Sequence, residues 1–283
     1  MTRKGKPYLR VREWCTDHGL PGEFLDRIPT TYISYSSTIL LSFPKGLPDE
    51  YLSIMAEGWA KVLGKKTVLN RSGIISGKFR EPQLDRLFGP GGDVVHLENG
   101  IRFQFDPERV MFSPGNHIER MRIGNIDMSN ETVVDLFTGI GYFSLPASIH
   151  CRAHQIYSCE INPIAFGYLQ KNIMKNHAES ITPLLGDCRE VAPEGVADRV
   201  FMGYMGTTHL FLETAFRSMK DTAILHYHEN CPLNHFPEAT IRRVEHGLKE
   251  CDYEDMEFLR VEKVKSYGPK MLHVVADVRI SKS

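Results

Sequence analysis

The sequence predicts an α/β protein: a doubly wound sheet with an antiparallel C-terminal edge, preceded by a small α+β domain. Three observations predict it. From about residue 132 to 250, β-rich runs alternate with helical stretches, the pattern of a parallel sheet covered by helices. The alternation then stops, and Phe258–Val264 and Met271–Ile280 follow each other as β-rich runs through Ser266-Tyr267-Gly268-Pro269. Ahead of Pro107, short strands and one long helix surround an Asn99-Gly100 turn, the strongest short hairpin signal in the chain.

The expected domains are 1–107 and 108–283, within a chain of 283 residues that suits one large domain or two modest ones. Net charge is −1, so bulk charge does not announce a nucleic-acid binder, and local charge would have to. The six cysteines, Cys15, Cys151, Cys159, Cys188, Cys231 and Cys251, include no C-x-x-C pair. That argues against a zinc ribbon or a secreted disulfide framework, and for free thiols in a reducing compartment. The first twelve residues are basic and lack an apolar signal core, and no apolar run is long enough to span a membrane. A soluble cytoplasmic protein is expected.

In chain order, Met1 to Leu20 carries Arg3, Lys4, Lys6, Arg10 and Arg12, and reads as a flexible tail or an RNA-touching arm. Thr31 to Phe43 reads as a strand and Pro44 to Pro48 as a turn. Leu52, Met55, Trp59 and Leu63 give Asp49 to Leu63 a helical period, with Gly64 as its stop. Lys61, Lys65, Lys66, Arg71, Lys78 and Arg80 follow without an acid between Glu57 and Glu81. This is either a phosphate-contacting patch or a solvated loop. Val94–Glu98 and Ile101–Phe105 flank the hairpin turn. Val110 to Gly115 bridges the domains, and Asn116 to Ile123 reads as a helix. Strands are expected near 132–136, 154–160, 181–186, 198–204 and 222–228, with helices near 142–150, 163–177, 207–219 and 237–250.

The first of these strands runs into Asp135-Leu136-Phe137-Thr138-Gly139-Ile140-Gly141-Tyr142-Phe143. Gly139 and Gly141 permit a tight turn and close approach of backbone to a ligand. Ser144 stands where a dinucleotide fingerprint needs its third glycine or alanine. A strand acid followed by Phe-x-Gly-x-Gly is instead the pattern of enzymes that use S-adenosylmethionine (SAM). The next strand ends in Glu160, as a ribose-binding strand should, and the one after runs into Asp187. Asp135 reads equally as a structural acid or a ligand.

His226 and His228 alternate by two on one strand and share a face. With His209 and Glu229 they invite a metal reading. Without a further cysteine or histidine at ligand spacing, acceptor positioning or a satisfied polar network is the better reading, and no metal is expected.

Several motifs carry a family resemblance: Phe112-Ser113-Pro114-Gly115-Asn116 with Glu119-Arg120, the turn through Gly141, Glu160-Ile161-Asn162-Pro163, Gly186-Asp187-Cys188-Arg189, and His273-Val274-Val275-Ala276-Asp277. From about residue 90 onward the chain resembles class I SAM-dependent tRNA enzymes that modify the purine beside the anticodon. Two groups share the layout. One is the archaeal and eukaryotic tRNA guanine-37 N1-methyltransferases. The other is the tRNA wybutosine-synthesising protein 2 family, which moves the 3-amino-3-carboxypropyl (acp) group of SAM. The methyltransferases carry Ser-Pro-Arg where this chain has Ser113-Pro114-Gly115, and Asn-Leu-Pro or Asn-Pro-Pro where it has Gly203-Tyr204-Met205. Ser113-x-Gly115-Asn116, Met202-Gly203-Tyr204 and His228-Glu229-Asn230 are similar to the acp-transferases, with Pro114 a departure from the serine expected there.

The resemblance implies SAM as acp donor and 4-demethylwyosine in the anticodon loop of tRNA(Phe) as acceptor, with no membrane, metal or protein partner. It implies Glu160 at the ribose, and Asp187 with the Cys188 backbone at the adenine. Gly139 and Gly141 would lie at the methionine arm, and Ser113, Arg120, Phe137 and Gly203 complete the cofactor-binding set. Glu119 stands where the methyltransferases have a general base. Deprotonating the acceptor and orienting Arg120 stay open as its roles. The acceptor base must leave its stack, and Tyr204 or Phe143 could receive it, although aromatics at such places are commonly core. Three alternatives remain: a guanine-37 N1-methyltransferase, a non-catalytic SAM- or RNA-binding module, and a methyltransferase acting on a small molecule or protein.

Overall fold

The computed structural model describes residues 6–73, 75, 77–249, 251, 253 and 255–282. They form two compact units. One holds the chain up to Leu97 together with Arg102–Pro114, and the other holds Glu98–Ile101 and Gly115 onward.

The first unit begins with α1 (Lys6–Asp17), followed by β1 (Ile33–Tyr35), β2 (Thr38–Leu41), α2 (Asp49–Leu63), β3 (Thr67–Arg71) and β4 (Leu84–Phe88). The four strands pair in chain order; β2 and β3 are parallel, and the outer pairs are antiparallel. Tyr8, Val11 and Cys15 of α1 pack with Met55 and Trp59 of α2 in one apolar core. Burial pushes the Cys15 thiol up to about 12, so it behaves as an apolar filler. Gly64 closes α2 in the left-handed region at φ 63°, as its place after the periodic stretch predicts.

Met1 to Leu20 is therefore no tail over its described part. Tyr8, Val11 and Cys15 recur at helical spacing beneath the basic residues and anchor α1. Arg3 and Lys4 lie outside the described residues. The single strand expected over Thr31 to Phe43 is a hairpin, with Ser36 at φ 47° in its turn. The Lys61 to Arg80 stretch contains β3, whose apolar residues lie inward while Lys61, Lys66, Arg71 and Lys78 are exposed.

The hairpin β5 (Val94–Glu98) and β6 (Ile101–Phe105) forms a separate two-stranded sheet. Asn99 at φ 48° and Gly100 at φ 76° supply the two left-handed residues such a turn needs.

The second unit continues with α3 (His117–Ile123), β7 (Thr132–Asp135), α4 (Ser144–Ile149), β8 (Gln155–Glu160), α5 (Pro163–Asn176), β9 (Ile181–Leu185), α6 (Cys188–Val191), β10 (Ala197–Met202), α7 (Leu212–Ser218), β11 (Met219–Pro232), α8 (Glu238–Leu248), β12 (Asp255–Gly268) and β13 (Met271–Ser281). The sheet order is β12-β13-β11-β10-β7-β8-β9. Strands β9 to β11 along that order are parallel, and β13 joins β11 and β12 antiparallel. The doubly wound sheet with an antiparallel C-terminal edge is thus the observed fold. The order reverses between β7 and β10, so the crevice at their carboxyl ends is the expected ligand position. Val134, Val200, Leu225, Ala276 and Val278 build the core across both the parallel and the antiparallel pairings. Asn162 caps α5, its Oδ1 accepting from Ile164 N at 2.9 Å, and Pro163 takes the first helical position. No helix among the described residues is long and apolar enough to cross a membrane. Cys15, Cys151, Cys159, Cys188 and Cys231 are buried and unbridged.

Candidate active site at the carboxyl ends of the parallel strands

The turn after β7 is fixed from beneath. Asp135 is fully buried and accepts from Ser144 Oγ at 2.7 Å. Ser144 Oγ in turn lies 2.8 Å from both Thr138 Oγ1 and Ser158 Oγ. Burial pushes Asp135 up to about 6, against the hydrogen bonds from Ser144 and Phe137 N. Of the two readings of Asp135, the structure favours the structural acid.

Gly139 (φ 59°) and Gly141 (φ 101°) hold conformations that side chains resist. A Cβ on Gly139 would fall 2.3 Å from the Tyr142 ring, and one on Gly141 would fall 2.8 Å from Leu145. The turn stays slim, and its backbone meets the next strand tip. Glu160 Oε2 accepts from Gly139 N at 2.8 Å, and Oε1 accepts from Asn162 N at 2.7 Å. Burial outweighs these bonds and raises Glu160 to about 7.

Asp187 caps α6, accepting from Arg189 N at 3.0 Å, and the Arg189 fork holds the same carboxylate at 2.9 and 2.5 Å. Arg189 also lies over the Phe211 ring, 5.1 Å from its centroid. Phe211 meets Phe137 edge-on at 5.0 Å, and Phe137 stacks on Tyr204 at 5.1 Å. The structure thus brings Phe137, Gly139, Glu160 and Asp187 with Cys188 to one rim of the sheet. Ser113 belongs to the first unit.

A second group lies toward β11 and β13. A Cβ at Gly203 would fall 2.8 Å from the Phe143 ring, and Phe143 stacks on His228 at 5.2 Å. His228 Nδ1 lies 3.1 Å from His273 Nε2, and His228 Nε2 lies 3.5 Å from Glu119 Oε1. Burial lowers both histidines to about 3, keeping them neutral.

Glu119 does not orient Arg120. Its carboxylate takes the Arg122 fork at 2.9 and 2.7 Å, because Arg122 stands one helical turn further along the same face. Arg120 is held by Glu98 at 2.5 and 2.8 Å. Arg122 reaches on to Asp277 at 2.7 Å, and Asp277 bonds His226 Nδ1 at 2.6 Å. Arg199 donates to His226 Nε2 at 2.7 Å and is itself forked onto Glu131. A guanidinium only donates, so His226 Nε2 accepts and Nδ1–H faces Asp277. Burial raises Asp277, but the hydrogen bond from His226 Nδ1–H and the charge and hydrogen bond of Arg122 outweigh it and hold its pKa well below the usual carboxylate range. His226 is therefore a satisfied core histidine. Glu229 is closed off by Tyr227, Thr240 and Arg243. Among the described residues no group of three or more His, Cys, Asp or Glu side chains could hold a metal ion. Arg122 was not singled out from sequence; His228, Phe143 and Glu119 were, as separate readings, and the structure brings these three together.

This geometry fits a SAM-type ligand: a slim glycine turn, a strand-tip carboxylate beside it and an acid at the next strand. Comparisons with known proteins agree. Residues 94–256 match the model of the TRM5/TYW2 methyltransferase domain. A Pyrococcus horikoshii protein named tRNA(Phe) (4-demethylwyosine(37)-C(7)) aminocarboxypropyltransferase is 38% identical, covering 97% of each chain. The crystal structure of P. horikoshii TYW2 in complex with MeSAdo matches with TM-score 0.87 and 35% identity, over 98% of this chain and 100% of that one. The M. jannaschii TYW2 structure in complex with AdoMet matches with TM-score 0.73 and 31% identity, over 89% and 100%.

Proposed function

The chain belongs to the TRM5/TYW2 methyltransferase family, and from that premise we propose that it transfers the acp group of SAM to 4-demethylwyosine at position 37 of tRNA(Phe), releasing 5′-methylthioadenosine. It is a SAM-dependent transferase acting on tRNA. When bound, SAM supplies a sulfonium that activates either its methyl or its γ-carbon for attack. The protein's work is to choose the carbon by orientation, and proximity then supplies most of the catalysis.

In this reading Glu160 accepts the ribose hydroxyls, and Asp187 with the Cys188 backbone holds the adenine. Phe137, Gly139, Gly141 and Gly203 line the donor, with Ser113 and Arg120 as further donor contacts. Glu119 serves the acceptor. Exposed Lys61, Lys66, Arg71 and Lys78, in the 1–107 domain, are proposed contacts for tRNA phosphates. Transfer belongs to the 108–283 domain, and the anticodon loop of cytoplasmic tRNA is the partner.

The observation that carries acp over methyl transfer is the packing at two glycines. The methyltransferases place an arginine where Gly115 stands, and here a Cβ would meet Lys265 Nζ at 3.1 Å. They place an asparagine where Gly203 stands, and here a Cβ would strike Phe143 at 2.8 Å. At Gly203 a rigid ring takes the space, and at Gly115 the end of the flexible Lys265 side chain crowds it, which supports a donor pose different from that of the methyltransferases.

The test is mass spectrometry after incubation with SAM and tRNA carrying the tricyclic precursor. Methylthioadenosine and an acp mass on the tRNA are expected. Adenosylhomocysteine with a methylated guanine would return the chain to the methyltransferases. SAM binding without either product would leave a binding module.

A further inference from the structure

His228 is only 1% exposed, yet its Nε2 has no hydrogen-bond partner among the described residues. A buried nitrogen of this kind costs stability unless it has a task. Its surroundings are built to orient it. Phe143 stacks on the ring, and His273 holds Nδ1 at 3.1 Å. Strand register puts Tyr227 opposite Met202, the last residue of β10, so His228 stands level with Gly203 at the carboxyl ends of the parallel strands. Glu119 Oε1, 3% exposed, lies 3.5 Å from the unpartnered nitrogen.

We propose that His228 Nε2, paired with Glu119 Oε1, receives the proton that the acceptor carbon must shed during acp transfer. The proposal rests on the acp-transfer reading above and adds the proton's destination. In the step, π electrons of the acceptor ring form a C–C bond to the γ-carbon of SAM. The γ-carbon–sulfur bond breaks, and its electron pair goes to sulfur, leaving neutral methylthioadenosine. The ring carbon then still carries its hydrogen. That hydrogen leaves as a proton to His228 Nε2, and the C–H pair restores the ring.

The geometry suits His228 better than Glu119 alone. Arg122 already occupies both Glu119 oxygens with its fork. His228 is held neutral by burial, so its ring offers a lone pair. The proposal requires the tautomer in which Nδ1–H donates to His273 Nε2, which leaves the lone pair on Nε2 beside Glu119. Once Nε2 is protonated, the imidazolium has a carboxylate beside it and a hydrogen-bonded histidine behind it. His273 is then a positioning residue, acting through His228. A weak base suffices, because the alkylated ring intermediate is itself strongly acidic.

Two measurements on the full chain test this. The first compares wild type with His228→Gln in single-turnover transfer, using precursor tRNA with protium or deuterium at the acceptor carbon. The variant is expected to transfer about 100-fold more slowly or worse, with a larger deuterium effect, while its SAM dissociation constant by calorimetry stays within about threefold. An unchanged rate, or a rate loss matched by lost SAM binding, overturns the inference. Wild type that makes no acp product would instead overturn the acp reading, so the two failures are distinguishable. The second needs no variant. In ¹⁵N NMR of the wild-type histidines, His228 Nε2 is expected to be unprotonated and Nδ1 protonated. A protonated Nε2 at neutral pH overturns the inference even where His228→Gln fails to fold.

Discussion

The strand-tip acids of the parallel side and Asp277 of the antiparallel side are satisfied in different ways. On the β7–β8–β9 side, the acids are satisfied close by in sequence. Glu160 takes N–H groups 21 and 2 residues away, Asp135 a hydroxyl 9 away, and Asp187 a backbone N–H 2 away. On the β11–β13 side, Arg122 and Asp277 are 155 residues apart, His226 and Asp277 51, and His228 and His273 45. Local satisfaction uses loops and helix starts, and it leaves carboxylates at a rim where a ligand can compete for them. Distant satisfaction joins one ion pair, Arg122 with Asp277, to hydrogen bonds through neutral histidines, and ties α3 and β11 to β13.

The largest expected effect breaks the distant half. Asp277→Ala strands Arg122 and His226 without their shared carboxylate and should lower stability by about 3–5 kcal/mol. Urea unfolding of the variant reads this directly, and a loss under 1 kcal/mol would mean that the network contributes little. Removing an acid on the local side should act on the ligand instead. Glu160→Ala is expected to weaken SAM binding by roughly 10- to 100-fold, the value of a hydrogen bond to a charged group, while the urea midpoint hardly moves. Calorimetry that found unchanged affinity would remove Glu160 from the site.

A smaller effect follows from pH. Burial raises Glu160 to about 7 in the free protein, and in its proposed role the ribose hydroxyls would donate to its ionised form. SAM affinity should therefore rise by about tenfold between pH 6 and 8, with proton release on binding at the lower pH. The sign for stability is the reverse. A carboxylate whose folded pKa is raised favours the protonated folded state, so its contribution falls as pH climbs from the ordinary glutamate value of 4.5 through 7. A pH-independent dissociation constant would contradict the assigned role. The smallest change is expected from Asp187→Ala, about fivefold in SAM affinity, because Arg189 already competes for that partly exposed carboxylate. A loss as large as that of Glu160→Ala would reverse the ranking.

The same contrast explains what could be read from the chain. Asp135, Glu160 and Asp187 each sit at the end of a β-rich run beside small or capping residues, so composition and spacing expose them together. The alternation of β7 to β11 and the paired runs of β12 and β13 were equally plain. Arg122 was not, because its partner is fixed by the register of β13 against β11, which pairs His226 with Asp277. That register is a property of the folded sheet. β4, Leu84-Asp85-Arg86-Leu87-Phe88, escaped notice for another reason: an edge strand faces water and tolerates charge in its middle. In α1, lysines and arginines masked three apolar residues whose spacing was helical throughout.

The place of β13 has a consequence for how the molecule is made. It is threaded between β11 and β12, although both precede it in the chain. During synthesis β12 has no neighbour in the sheet until β13 emerges, while β7 to β11 can pair among themselves as they appear. His273 and Asp277 arrive with β13 as well. Until β13 pairs, His226 and His228 lie on an open edge of the sheet, and their partners Asp277 and His273 are both supplied by that one pairing.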